Sequence, residues 1–120
     1  MRLIAAGVFD RHPNLKIVIR SGGGGLPLLL PRLSWRHKGA DDRSYLDILL
    51  DHFLIDTASL DARTLGFLLE KMGEDRIVFG SDYCGGLGLL KKGVAVIEQQ
   101  PDPARVTAIT ERNSRSLLNL

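Results

Sequence analysis

The fold is decided by residues 15–27, which read LKIVIRSGGGGLP. The apolar, β-branched run over 15–20 predicts a buried strand. Four glycines follow at 22–25, and Pro27 suits the first turn of a helix. Glycine permits positive φ and lets backbone N–H groups come close to a ligand. Because α/β folds place active sites at such strand-to-helix turns, the stretch predicts both a fold class and a candidate site.

Composition and charge restrict the class of protein. The chain has 120 residues, 44% of them hydrophobic and 25% charged, with a formal net charge of +2. That length suits one modest domain. Basic residues are scattered among acidic ones, so nothing in the sequence supports nucleic-acid binding. A short apolar run at 26–30, the lack of a signal-peptide pattern and a single cysteine predict a cytoplasmic protein that does not bind membranes.

Apolar periodicity predicts strands that alternate with helices. Strands are expected at 15–20, 53–57 and 75–82 (the last including its exit), and helices at 2–10, about 27–37, from about 46, after Ser59 or Asp61 as far as Gly73, at 87–99 and from Pro103 after an Asp102 cap. Pro31 lacks an N–H, which predicts an irregular first turn in the second helix. The order αβαβαβαα predicts right-handed βαβ units and a parallel sheet. Three strands bury only a small core, so we expect part of a larger architecture or pairing with another copy.

Asp82 is the strongest candidate functional residue. It lies just past a predicted strand, after Gly80 and Ser81. The carboxyl ends of parallel strands face the ligand site, and a carboxylate there suits a metal ion or a proton transfer. The alternative is a helix cap or an acceptor that fixes the loop.

Asp56 and Ser21 end the other two predicted strands. For Asp56, an Asx-turn or an N-cap is favoured over a functional role. Ser21 lacks the G-x-S-x-G setting of a nucleophile because Ile19 occupies the first glycine position, and a hydrogen-bonding or space-filling role is favoured. The glycine run fits neither common phosphate-binding template, while anion binding by its loose N–H groups stays open.

The histidines and the cysteine follow no metal-ligand spacing. His12, His37 and His52 form no i, i+4 or H-x-H pattern, and surface roles are predicted for all three. Cys84 lies two residues after Asp82. A small buried hydrophobe is favoured there over a thiolate ligand.

Four motifs and an asparagine together resemble the amidohydrolase-related family that includes aminocarboxymuconate semialdehyde decarboxylase and related aromatic-acid decarboxylases. The matching residues are GVFDRHPNLKIV at 7–18, GGG with LP at 22–27, DTA at 56–58, DRIVFGSDY at 75–83, and Asn113. The resemblance covers essentially the whole chain, and the two longer motifs are specific in combination.

The resemblance implies a (β/α)8 barrel with one divalent metal, usually zinc, of which residues 1–120 are part of a single domain and contribute the sixth, seventh and eighth strands. It implies that Asp82 matches the aspartate that binds the metal, and that Ser21 stands where the family has its catalytic histidine. The family's first-strand histidines and its mid-barrel histidine have no match in this chain. Cys84 and Gly85 replace the usual Pro-Phe.

Two functions are left open. The first is the C-terminal portion of a metal-dependent amidohydrolase-like enzyme, a hydrolase or carboxy-lyase for a small carboxylate or aromatic acid. Such a portion is expected to be inactive by itself and to need a missing N-terminal half. The second is a non-catalytic structural or interaction module that assembles through its exposed sheet edges.

Overall fold

The chain folds as a parallel sheet covered by helices, which confirms the predicted α/β class. The computed structural model describes residues 2–36, 43–58, 60–83 and 90–120. Their strands pair in the order β1-β2-β3, with β1 at Ile17–Ile19, β2 at Phe53–Asp56 and β3 at Ile77–Val78. The helices are α1 (Arg2–Ala5), α2 (Val8–Arg11), α3 (Leu30–Arg36), α4 (Tyr45–His52), α5 (Ala62–Met72), α6 (Leu90–Glu98), α7 (Pro103–Thr107) and α8 (Asn113–Leu118). Within the described ranges, no helix combines the length and apolar character that crossing a bilayer requires.

One face of the sheet packs against the helices. The register places Ile17 beside Phe53 and Ile55 beside Ile77. These strand residues join one apolar cluster with helical side chains, among them Leu30, Leu33, Ile48, Leu49, Leu65, Leu68, Met72 and Ile97. Because side chains alternate along a strand, Val18 and Leu54 point to the opposite face. In a closed barrel that face lines the interior.

The first strand is shorter and more exposed than the sequence predicts. It spans Ile17–Ile19 instead of 15–20, and Val18 is 40% exposed. β1 lies at the end of the strand order, so the described residues leave its outer edge without a neighbouring strand. The prediction of a fully buried strand is therefore wrong for β1. It holds for β2, whose residues 53–55 are buried.

The single helix predicted over 2–10 is wrong, because the chain breaks at Gly7. α1 and α2 lie on either side of Ala6 and Gly7, and Gly7 has φ of 64°, in the left-handed region. Glycine adopts that conformation at no steric cost. Arg11 Nη1 donates a hydrogen bond to Ala6 O at 2.9 Å, which stabilises the kink.

The helix after the glycine run begins with a tight turn. Leu26–Leu29 forms a 3₁₀ helix and α3 follows directly, which confirms the irregular start expected from Pro31. Position 37, the predicted end, lies outside the described residues. The short helix expected from about 46 is α4, and its N-terminus carries a capping box in which Ser44 and Asp47 exchange hydrogen bonds.

The predicted helix signals around α5 and α7 are confirmed. Asp61 caps α5 by accepting a hydrogen bond from the Thr64 N–H at 2.7 Å, and Gly73 follows the last helical residue. That hydrogen bond lowers the pKa of Asp61 below its ordinary value. Asp102 caps α7 through the Ala104 N–H at 2.9 Å. Ser59, the alternative cap, lies outside the described residues.

The third strand is much shorter than the predicted span of 75–82. A 3₁₀ turn at Glu74–Arg76 leads into it, and only Ile77–Val78 pairs with β2. Asn113 is buried, and its Nδ2 donates to Glu74 O and to Ile77 O, each at 2.7 Å. Asn113 therefore holds the entry to β3.

The exit of β3 bonds to the C-terminal helical segment. The Phe79 N–H donates to Ile109 O at 3.0 Å. The Ile109 carbonyl thus accepts a hydrogen bond from outside its helix. The helical segment around it, Ala108–Arg112 between α7 and α8, is a π-helical turn. The final helix is thus continuous but bulged where it contacts the sheet.

Candidate functional site

The carboxyl ends of the three strands bring together Arg20, Ser21, Asp56, Gly80 and Asp82. Arg20 and Ser21 follow β1, Asp56 is the last residue of β2, and Gly80 and Asp82 follow β3. Parallel strands direct these ends to one edge of the sheet, which is where ligands bind in α/β folds. The contacts below link all five residues.

Asp82 is held by Arg20. Its side chain is 11% exposed, and its Oδ1 accepts a hydrogen bond from Arg20 Nη2 at 2.6 Å. The Arg20 side chain is 72% exposed. Asp82 also has φ of 51°, a left-handed conformation that aspartate tolerates better than most residues. The carboxylate thus joins the exits of β1 and β3, as expected of an acceptor that fixes a loop.

Asp56 bonds to the backbone instead. Its Oδ1 accepts from the Ser21 N–H at 2.6 Å and from the Ala58 N–H at 3.1 Å. The second bond forms the predicted Asx-turn. The carboxyl group lies against Gly80, where a Cβ would come within 2.7 Å of Asp56 Oδ2. Only glycine leaves room for the carboxyl group at this point.

Backbone N–H groups in and next to the glycine run donate hydrogen bonds to nearby protein oxygens. Ser21 has φ of 51°, and residues 22–25 all have positive φ as well. Besides the Ser21 N–H, the Gly23 N–H donates to Arg20 O at 3.0 Å and the Gly24 N–H donates to Ser21 O at 3.3 Å. Ser21 takes part in this bonding through its backbone N–H and C=O, and the role predicted for its side chain stays a prediction. Two N–H groups of the run, and that of Ser21 before it, therefore already have acceptors.

An apolar cleft of about 420 Å³ opens between the glycine run and α5. Ser21, Pro27, Leu60, Phe67 and Leu68 are among the residues that line it. The cleft places an apolar surface next to Ser21, the position that the resemblance assigns to a catalytic histidine.

The histidines lie away from this edge or outside the described residues. His12 is exposed in a turn, as predicted. The surface role predicted for His52 is wrong: it is 4% exposed, its Nδ1 lies 2.8 Å from Leu15 O, and its ring stacks on Phe9 with centroids 4.4 Å apart. His37 and Cys84 lie outside the described residues.

Arg20 is the site residue that sequence reasoning missed. In the sequence, Arg20 is one of several basic residues that are scattered among acidic ones, so its charge alone does not single it out. The available signal was its position, because Arg20 follows the last residue of β1 and Ile19 pairs with Ile55. Extending that register places Arg20 beside Asp56, the last residue of β2, at the edge where Asp82 follows β3.

The described residues do not form a metal centre by themselves. Among them, no three His, Cys, Asp or Glu side chains gather into a metal-binding group. Asp82 already accepts a hydrogen bond from Arg20, and Asp56 accepts two from the backbone. A catalytic zinc takes about three protein ligands, so the donors present here do not fit a complete metal site.

Sequence comparisons agree with the family resemblance. The amidohydrolase family model matches residues 1–120. Gamma-resorcylate decarboxylase of Rhodococcus jostii (strain RHA1) is 33% identical over 91 aligned residues, which cover 69% of this chain and 28% of the relative. The 2-amino-3-carboxymuconate-6-semialdehyde decarboxylase of Dictyostelium discoideum is 33% identical over 101 residues, covering 76% of this chain and 27% of the relative.

A solved structure supports the predicted architecture. A dihydroxybenzoic acid decarboxylase from Polaromonas sp. JS666, with bound manganese and the inhibitor 2-nitroresorcinol, matches with a TM-score of 0.85 at 26% identity. The match covers 99% of this chain and 38% of that one. The structural neighbours are (β/α)8-barrel decarboxylases, and the three-stranded sheet is consistent with part of such a barrel. The chain spans well under half the length of these relatives, and it belongs to the amidohydrolase-related family that contains them.

Proposed function

We propose that this chain is the C-terminal portion of a metal-dependent carboxy-lyase that decarboxylates a small aromatic acid. The observation that carries the proposal is Asp82, a largely buried carboxylate at the ligand-binding edge of the sheet. Relatives named as decarboxylases favour a carboxy-lyase over a hydrolase. The proposal assigns residues 1–120 to part of one barrel domain.

In this proposal, the chain supplies three strands and one metal-binding carboxylate. Asp56 fixes the glycine run by accepting the Ser21 N–H, and Gly80 leaves room for its carboxyl group. The apolar cleft beside Ser21 suits the ring of an aromatic acid. The remaining metal ligands would come from residues outside this chain. The metal is divalent, with zinc implied by the resemblance and manganese bound in the Polaromonas relative.

Ser21 makes the segment inactive by itself. A serine hydroxyl has no ring nitrogen and does not change its protonation state near neutral pH as a histidine does. Ser21 Oγ therefore cannot replace the acid/base group that the family has at this position. The missing histidine and the missing metal ligands both predict no turnover by residues 1–120 alone.

A chimera tests this proposal. Residues 1–120 would replace the matching part of the Rhodococcus jostii relative, and release of CO2 from gamma-resorcylate would be measured with added Mn²⁺. We expect no turnover with Ser21 and measurable turnover with Ser21→His. The gain should be about 10²-fold or more, as is typical of a general acid or base.

The matched control is Asp82→Asn in the Ser21→His chimera, which should return the rate to background. A folded Ser21→His chimera without activity, when the parent enzyme is active, would contradict the proposed function. Full activity in the Asp82→Asn control would contradict the role of Asp82.

One observation favours a second candidate, a non-catalytic module that assembles with itself. β1 lies at the end of the strand order and Val18 is 40% exposed. Unpaired strand edges are templates for pairing with another chain. Sedimentation at micromolar concentration is the test, and a stable, well-folded monomer would count against this candidate.

A further inference from the structure

The Arg20–Asp82 pair is built differently from the Arg112–Asp75 pair, which lies away from the site. One partner is largely buried and the other is largely exposed, with side chains 11% and 72% exposed. By contrast, the side chains of Arg112 and Asp75, 2.8 Å apart, are both more than half exposed. A carboxylate that is shielded from water needs an opposite charge or hydrogen-bond donors. Arg20 supplies both across the gap between the exits of β1 and β3.

Arg20 places a positive charge directly on the Asp82 carboxylate. Of the two Asp82 carboxylate oxygens, Oδ1 accepts a charge-assisted hydrogen bond from Arg20 at 2.6 Å. A divalent ion next to the guanidinium would also meet a like charge, which repels it strongly in a partly desolvated site. The positive charge of Arg20 therefore opposes metal binding at Asp82 for as long as the ion pair is intact.

The nearby carboxylate offers no substitute. Asp56 accepts hydrogen bonds from two backbone N–H groups, and its carboxyl group lies against Gly80. Releasing it would leave the glycine run without its anchor. Asp82 is thus the exchangeable carboxylate at this edge among the residues that the structure describes.

We propose that Arg20 competes with the metal for Asp82: it is the cation at this carboxylate in residues 1–120 alone, and a divalent ion binds Asp82 only after displacing it. The inference rests on the proposed function, which places Asp82 in the position of a metal ligand. It goes further because it identifies a residue of this chain that blocks the metal. Arg20 then sets whether Asp82 is available, and its removal should make the carboxylate accessible to a divalent ion.

Paramagnetic broadening by Mn²⁺ in amide NMR spectra tests the inference on residues 1–120. The four proteins are wild type, Arg20→Gln, the double variant Arg20→Gln/Asp82→Asn, and Arg112→Gln as a matched control. Arg112→Gln removes a cation that pairs with Glu74 and Asp75, away from the site. Arg20→Met replaces Arg20→Gln if the latter does not fold.

We expect Arg20→Gln to bind Mn²⁺ about tenfold more tightly than wild type, because a like charge close to the ion is removed. Broadening should centre on the amides of Ser81 and Asp82. It should fall back in the double variant and stay unchanged there in Arg112→Gln. Equal broadening in wild type and Arg20→Gln, whether both bind or neither does, would overturn the inference while leaving the chimera test of the proposed function intact. A gain that persists in the double variant would overturn both the inference and the assignment of Asp82 as a metal ligand.

Discussion

Asp56 and Asp82 follow neighbouring strands but are held in opposite ways. Asp56 accepts hydrogen bonds from backbone N–H groups of Ser21 and Ala58, at 2.6 and 3.1 Å. Asp82 accepts one from the side chain of Arg20, which is 72% exposed. Backbone donors are fixed by the fold, whereas a long solvated side chain exchanges its partners.

This difference separates a structural carboxylate from an available one. Moving Asp56 would disrupt the glycine run, because the Ser21 N–H depends on it. Moving Arg20 away from Asp82 requires only rotation of an exposed side chain. A position at the end of a strand is therefore not sufficient for a functional role, since the kind of partner decides whether a carboxylate can take a ligand.

The largest effect is expected for Gly80→Ala, because the added methyl group would occupy the space of the Asp56 carboxyl group. A Cβ at this position would lie 2.7 Å from Asp56 Oδ2 and 2.8 Å from its Cβ and Cγ. The carboxyl group would have to leave its hydrogen bonds, so we expect a loss of about 3 kcal/mol in the free energy of unfolding. Urea unfolding monitored by circular dichroism measures the loss.

Gly66→Ala in α5 is the matched control, because nothing lies within 4 Å of a Cβ there. Alanine should stabilise the helix by up to about 1 kcal/mol. A Gly80→Ala protein as stable as wild type would show that Asp56 does not need this space.

Asp56→Ala should destabilise the protein by about 2 kcal/mol, because it leaves the Ser21 and Ala58 N–H groups without their acceptor. Asp56→Asn keeps an Oδ1 acceptor and should lose about half as much. Amide exchange at Ser21, measured by NMR, should rise more in the alanine variant than in the asparagine variant. Equal losses in both variants would mean that the charge of Asp56, not its acceptor geometry, holds the glycine run.

The arrangement of elements could be predicted from the sequence because it depends on local patterns. The caps at Asp61 and Asp102 and the end of α5 at Gly73 follow from short-range chemistry. The parallel order follows from strands that alternate with helices. Such features need no knowledge of which distant residues meet.

The predictions that are wrong concern backbone conformation, or contacts between residues that are far apart in the sequence. The apolar pattern over 2–10 does not reveal that Gly7 turns left-handed and splits the helix. His52 looks like a surface residue at a helix end, yet Phe9 and Leu15 bury it. Val18 has the β-branched character of a buried strand, but burial depends on what covers that face.

The candidate site was predicted in part for the same reason. Strand ends locate Ser21, Asp56 and Asp82, since parallel strands share one edge. The pairing of Arg20 with Asp82 joins residues 62 positions apart. No local pattern predicts such a contact, and the family resemblance concerns Asp82 and Ser21 but not Arg20.

The smallest effect is expected for Asp82→Asn, because this carboxylate is held by an exposed side chain and not by the backbone. Asparagine tolerates the left-handed φ of 51° at this position, so the backbone keeps its conformation. The variant loses only the charge attraction to a well-solvated guanidinium, and we expect a loss below about 1 kcal/mol in the free energy of unfolding. The loss should shrink further in about 1 M NaCl, where the Debye length is about 3 Å. Arg20→Gln should cost a similar amount, and a double-mutant cycle should give a small coupling energy. A loss as large as that of Asp56→Ala and independent of salt would instead make Asp82 a second structural anchor, held too firmly to exchange Arg20 for a ligand.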